Sequence, residues 1–169
     1  MPAGCCRTYR RDMSLTRRMF IALAGIGTLA GCSHSALADP AFGVTHTDAE
    51  WHQLLDARQY DVLRRAGTEA PFSSPLNDEH RNGVFSCAGC ALDLFASATK
   101  FNSGTGWPSF WKALDRAVIE RSDSTLGMVR TEVLCRQCGG HLGHVFDDGP
   151  APTGLRYCMN GAALTFRVA

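Results

Sequence analysis

Two hydrophobic patterns divide this chain. Ahead of Gly67 the apolar positions fall at helical spacing, and beyond Gly83 they come as short runs separated by glycine, proline and asparagine. Thr47-Asp48-Ala49-Glu50 reads as a helix start, with Thr47 as cap and Glu50 at the third helical position, so that Trp51, Leu54 and Leu55 share one face. Val62-Leu63-Arg64-Arg65 extends or repeats that helical stretch until Gly67 stops it. Residues 67–72 are irregular and polar with one aromatic, which suits either a loop lying over a site or a solvated connection. Further on, Val84-Phe85, Leu94-Phe95, Ala117-Val118-Ile119, residues 128–133, His144-Val145-Phe146, residues 155–159 and Leu164-Thr165-Phe166 read as strands. Many short strands with turns between them predict a mainly β fold, two antiparallel sheets or a barrel-like domain, with short helices on its N-terminal side.

The penultimate strand carries the first candidate chemistry. Its two-residue period puts Arg156, Cys158 and Asn160 on one face, and Tyr157 and Met159 on the other. A cation beside a thiol favours the thiolate, which is the nucleophile. The competing reading is a cysteine buried as a small hydrophobe.

Composition changes this picture in one respect. The 169 residues are 45% hydrophobic and 20% charged, enough to bury a core, and the net charge of +1 gives no reason to expect a nucleic-acid surface or an anionic membrane partner. Eight cysteines are many for this length. They fall into an early group (Cys5, Cys6, Cys32), two CxxC pairs and Cys158 alone.

The early group sits in what reads as an address, residues 1–38. Arg17 and Arg18 precede an apolar run from Ala22 to Ala30 that is short for a membrane span, the pattern of a twin-arginine export signal. Ala36-Leu37-Ala38 would be cleaved to start the mature chain at Asp39, while Leu29-Ala30-Gly31-Cys32 offers a competing lipobox in which Cys32 is lipidated. Met13 is an alternative start, since the signal is complete from there. A periplasmic protein is expected, with membrane attachment only through Cys32. Residues 39–59 then form a linker and helix, and residues 60–169 the functional domain.

Cys87-Ala88-Gly89-Cys90 and Cys135-Arg136-Gln137-Cys138 are two knuckles whose sulfurs can face one ion. Four thiolates describe a closed, structural Zn2+ site, and the 45 positions from Cys90 to Cys135 mean that the metal would staple two distant hairpins. Disulfides and iron are the alternatives.

Between the knuckles, residues 101–111 combine glycines with Trp107, Phe110 and Trp111, an aromatic cup suited to a methyl or thioether group, or else a plug at one end of the β domain. The segment after the second knuckle holds His141, His144, Asp147 and Asp148 on a glycine-rich base. Two histidines and an acid near an Arg-flanked cysteine can supply and accept protons at one reacting centre.

Taken in order, the CxxC pairs, the SGTGWPSFW loop, the GGHLGHVFDDGP segment and the RYCMN strand resemble those of the B-type methionine sulfoxide reductases, over roughly residues 60–166. The resemblance implies a fold of two antiparallel sheets and reduction of the R epimer of methionine sulfoxide in proteins. It implies Cys158 as the nucleophile that becomes a sulfenic acid. His141, His144 and Asn160 would serve the sulfoxide oxygen, Arg156 would favour the thiolate, Asp148 would support it, and Trp107 would hold the substrate methyl. The zinc ligands would be Cys87, Cys90, Cys135 and Cys138. Phe110 is added to the substrate cup on its place in the aromatic loop.

The chain departs from the pattern at Thr105, where many members carry a recycling cysteine, and at Gly161, where serine is common. With no second free thiol expected, an external donor such as thioredoxin would reduce the sulfenic acid. A monomer is expected. Two other functions compete: a zinc-stapled binding module without chemistry, and a peroxide scavenger, which would have no use for a methyl-sized cup.

Overall fold

The computed structural model describes residues 42–169. The expectations placed on residues 1–41, export signal, lipobox and start site included, lie outside the described residues. Two short helices open the fold. Helix α1 (Asp48–Leu54) carries the predicted capping box between Thr47 and Glu50, and α2 (Ala57–Arg65) carries a second one between Asp56 and Gln59. The helical region therefore repeats rather than extends, and the division expected at residue 60 falls inside α2. Ala66, in the left-handed conformation at φ 54°, ends α2 one residue ahead of Gly67.

Nine strands follow: β1 (Gly83–Cys87), β2 (Asp93–Ala96), β3 (Lys100–Phe101), β4 (Ser109–Phe110), β5 (Val118–Asp123), β6 (Arg130–Cys135), β7 (His141–Phe146), β8 (Arg156–Met159) and β9 (Leu164–Val168). They form two antiparallel sheets, in the orders β2-β1-β9 and β3-β4-β8-β7-β6-β5. The mainly β expectation with two sheets and N-terminal helices holds. The strand predicted at residues 128–133 lies two residues further on, because a turn, Thr125–Gly127, occupies the hairpin tip.

Between the sheets the core is aromatic. Phe110 is fully buried, stacked on Phe95 at 4.4 Å and edge-on to Phe85 at 4.9 Å. Each contact of this kind adds about 0.5–1.5 kcal/mol beyond the area it buries. Tyr157, Met159, Leu142 and Val133 complete the same layer. This corrects the placement of Phe110 in the substrate cup: the pleat turns it to the core and gives the opposite face to its neighbour Ser109.

Candidate active site

The outer face of the six-stranded sheet assembles the site by strand register. Cys158 on β8 pairs with His144 on β7 and with Ser109 on β4, His144 pairs with Glu132 on β6, and Glu132 pairs with Arg121 on β5. Residues directly opposite each other in an antiparallel sheet share a face, so one row of polar side chains crosses five strands. The next row runs from Arg156 to its partner Phe146, and Asp123 pairs with Arg130 at the far edge.

His141 joins this face through an irregularity. Three residues before His144, it would point to the opposite face of a regular strand. The register shifts between Val133 and Leu134, however, so that His141 rather than Leu142 pairs with Leu134. Such a bulge re-aims a side chain. His141 Nδ1 then lies 2.7 Å from the Glu132 carboxylate, and its ring meets that of His144 edge-on at 5.4 Å. Burial holds the His141 pKa below the ordinary histidine value against the pull of Glu132. Its buried Nε2 has no protein partner among the described residues.

His144 Nε2 lies 2.9 Å from Asp123, which also accepts from Arg130 at 2.7 Å. Hydrogen bonds from Thr125, then from His144, hold the Asp123 carboxyl well below the usual range, so it stays ionised beside the imidazole.

A cavity of about 160 Å³ opens on this face, lined by Trp107, Arg130, His144, Phe146, Cys158 and Asn160 together with Thr68 and Gly143. Gly143 is required there: a Cβ at this position would stand 2.1 Å from the Cys158 carbonyl oxygen, so only glycine lets β7 pass β8 this closely. The expected cup exists with a changed wall. Trp107 contributes, Phe110 does not, and Phe146 stands in its place. Phe146 is held in turn by the Arg156 guanidinium, 4.4 Å from its ring centre.

Cys158 is half-buried, with the Thr105 hydroxyl 3.9 Å from its sulfur. The hydroxyls of Ser103 and Ser109 continue from Thr105 at 2.8 Å each. Burial pushes the Cys158 pKa above the ordinary thiol value, while Thr105 and Arg156 pull it down without prevailing. Arg156 thus favours the thiolate, in the direction expected, while burial outweighs it. The guanidinium is engaged first by Asp148, in a two-pronged pair at 2.8 Å and 2.8 Å. Asp148 thus acts on Arg156 rather than at the cavity.

Asn160 is buried with its amide spent in a fixed sense. Its Oδ1 accepts from the Glu69 backbone N–H at 3.0 Å, and its Nδ2 donates to the Leu142 carbonyl at 3.1 Å. A donor can meet only Oδ1 and an acceptor only Nδ2, which leaves one Nδ2 hydrogen for a ligand. The sequence left residues 67–72 open between a loop over a site and a solvated connection, and did not single out Glu69, which the structure puts beside Asn160. Gly161 is explained by the same region: a Cβ there would stand 1.9 Å from the Ser74 hydroxyl and 2.4 Å from the Ser74 Cβ.

Away from the cavity, the two knuckles converge where β1 of the smaller sheet and β6 of the larger one end. The sulfurs of Cys87, Cys90, Cys135 and Cys138 all lie within 4.8 Å of one another. Cys87 to Cys138 is 3.7 Å and Cys90 to Cys135 is 3.5 Å, close to the ~3.8 Å edge of a tetrahedron with M–S of about 2.3 Å. All four are free thiols, so the disulfide alternative does not apply. Among the described residues Cys158 is the one cysteine outside this cluster.

A lone thiol under an aromatic wall, with an imidazole and an oriented amide donor on the rim of a small cavity, is the arrangement of a thiol-based oxidoreductase. Comparison with known proteins gives the family. Residues 55–168 match the SelR domain. The chain is 58% identical over 121 residues to "Peptide methionine sulfoxide reductase MsrB" of Thiobacillus denitrificans, covering 71% of this chain and 92% of that protein. It is 56% identical over 124 residues to the protein of the same name in Herminiimonas arsenicoxydans, covering 73% and 90%. To the one in Agrobacterium fabrum it is 52% identical over 124 residues, covering 73% and 92%. The chain belongs to the SelR-domain family of MsrB proteins.

Proposed function

We propose that this protein reduces the R epimer of methionine sulfoxide in oxidised proteins and peptides, as a peptide-methionine (R)-S-oxide reductase. The observation that carries the proposal is the cavity in which Cys158 faces Trp107 and Phe146 on one side and His144 and Asn160 on the other. A sulfoxide has an apolar methyl and a strongly accepting oxygen on one sulfur, and this cavity offers an aromatic wall to the first and donors to the second. Exchanging methyl and oxygen, as the S epimer would, puts the polar atom against the rings.

The chemistry follows from the groups at hand. The Cys158 sulfur attacks the sulfoxide sulfur, the S–O bond breaks, and oxygen ends on Cys158 as a sulfenic acid while the thioether departs as methionine. The thiol proton ends on that oxygen, so atoms and charge balance. His144, with ionised Asp123 behind it, relays that proton, and Asn160 stabilises the charge growing on oxygen. Two equivalents of an external thiol, thioredoxin-like, return Cys158 to the thiol with release of water and a disulfide. Thr105 at the sulfur offers no internal partner for that step.

The four-cysteine cluster holds Zn2+, a structural role that the closed sulfur shell supports. A monomer exported to the periplasm is part of the proposal, and the twin-arginine pattern at Arg17 and Arg18 supports the export. Among the described residues no helix is long and apolar enough to cross a membrane.

The test is an assay on peptides carrying R or S methionine sulfoxide with the metal-loaded protein. Wild type should turn over the R peptide alone. Cys158→Ser should lose turnover by about 10⁴-fold or more while keeping its metal and its melting temperature. One stoichiometric turnover should leave a single added oxygen on Cys158 by intact mass. A disulfide between Cys158 and a knuckle cysteine would overturn the one-cysteine scheme.

A further inference from the structure

We infer that Glu69 is a positioning residue of this site, one residue that contacts the substrate wall, the oxygen donor and the turn after the nucleophile strand and helps hold them in register. The inference rests on the reductase reading above and deepens it. Glu69 lies in the loop after α2, next to Thr68 of the cavity lining and remote in sequence from Trp107, Cys158 and Asn160, and its side chain is 3% exposed.

All three of its polar groups are spent on the site. Its backbone carbonyl accepts from Trp107 Nε1 at 3.1 Å, which fixes the rotation of the indole. Its backbone N–H donates to Asn160 Oδ1 at 3.0 Å, which fixes the sense of the amide. Its carboxylate accepts from the N–H groups of Gly161 at 2.5 Å and Ala162 at 2.9 Å, in the turn that continues the Cys158 strand. The carboxylate anchors the loop, and the loop backbone then aligns the two groups on which epimer choice depends.

Nothing else at this position would do the same. Arg58, the cation nearest the carboxylate, is 3.7 Å away and 64% exposed, a weak and screened pair. The two backbone N–H donors are what need a carboxylate, since each must meet an acceptor. Glutamine can accept from one of them, and its NH₂ would face the other.

The experiment is a double-mutant cycle between Glu69→Gln and Asn160→Ala, repeated with Trp107→Ala, read as kcat/KM on an R-sulfoxide peptide and as the R-to-S ratio. Glu69→Gln alone should lower kcat/KM about tenfold to a hundredfold, chiefly through KM, and reduce the R-to-S ratio. In the Asn160→Ala or Trp107→Ala background the same substitution should cost less than threefold, because the groups it aligns are gone. Glu69→Asp, which keeps the charge, should recover part of the loss.

Equal losses in all backgrounds, or a wild-type R-to-S ratio in Glu69→Gln, would overturn the inference and leave Glu69 as a stability residue. Metal content, melting temperature and the alkylation rate of Cys158 identify a variant that has merely unfolded. In that event Glu69→Asp carries the same cycle. Failure of wild type to reduce the R peptide would instead refute the reductase reading.

Discussion

The knuckle end of the fold, where β1 of the smaller sheet meets β6 of the larger, and the cavity end, on β8, give cysteine opposite surroundings. At the knuckle end four sulfurs face one another within 4.8 Å. Their shell has no side left open. At the other end Cys158 has no sulfur neighbour among the described residues and faces a cavity with aromatic and hydrogen-bonding walls. Residue type is common to both ends; what differs is the company. Four thiols that satisfy one ion form a staple, whereas one thiol beside a cavity forms a reagent.

The largest expected effect comes from breaking the staple. Cys135→Ser opens the sulfur shell between β6 and the knuckle of β1, and should cost more than about 4 kcal/mol of stability along with the bound metal. Thermal melts and metal analysis check it. Loss of turnover with metal and stability unchanged would break the comparison, since it would make a knuckle cysteine part of the reagent. A smaller effect follows at the reagent end. Trp107→Ala removes the wall that receives the methyl and should raise KM for the R peptide by about tenfold to a hundredfold, with metal and melting temperature retained.

The smallest effect sharpens the electrostatics of the lone thiol. Arg156 pulls the Cys158 pKa down against burial, so Arg156→Gln should leave it higher still. Since the thiolate is the form that alkylates, and its fraction grows as pH rises, the iodoacetamide rate profile of the variant should move to higher pH, slowing the reaction near neutrality. No shift, or one to lower pH, would show that Arg156 does not stabilise the thiolate.

The grouping of the cysteines into two knuckles and a lone Cys158 was legible in the sequence, as were the helices, because each depends on local pattern. The CxxC spacing, the Thr47 capping box and the alternation through Tyr157 and Met159 all act over a few residues. The rest of the site depends on partners distant in the chain. Strands β3 and β4 are two residues each and exist only through pairing, so the pattern showed a loop there and set Phe110 in the cup. Nothing in the spacing of His141 and His144 announces the bulge that brings them to one face. Glu69 acts on residues about 90 positions away, and Phe146 lines the cavity with Arg156, its partner on the next strand, over its ring.

The contact between Ser74 and Gly161 bears on how this site can change over generations. A side chain at 161 meets the Ser74 side chain well inside contact distance. Serine at 161 is thus closed to this chain as a first step and becomes open once position 74 has lost its side chain. The two positions are therefore coupled, a side chain at one excluding a side chain at the other in this backbone.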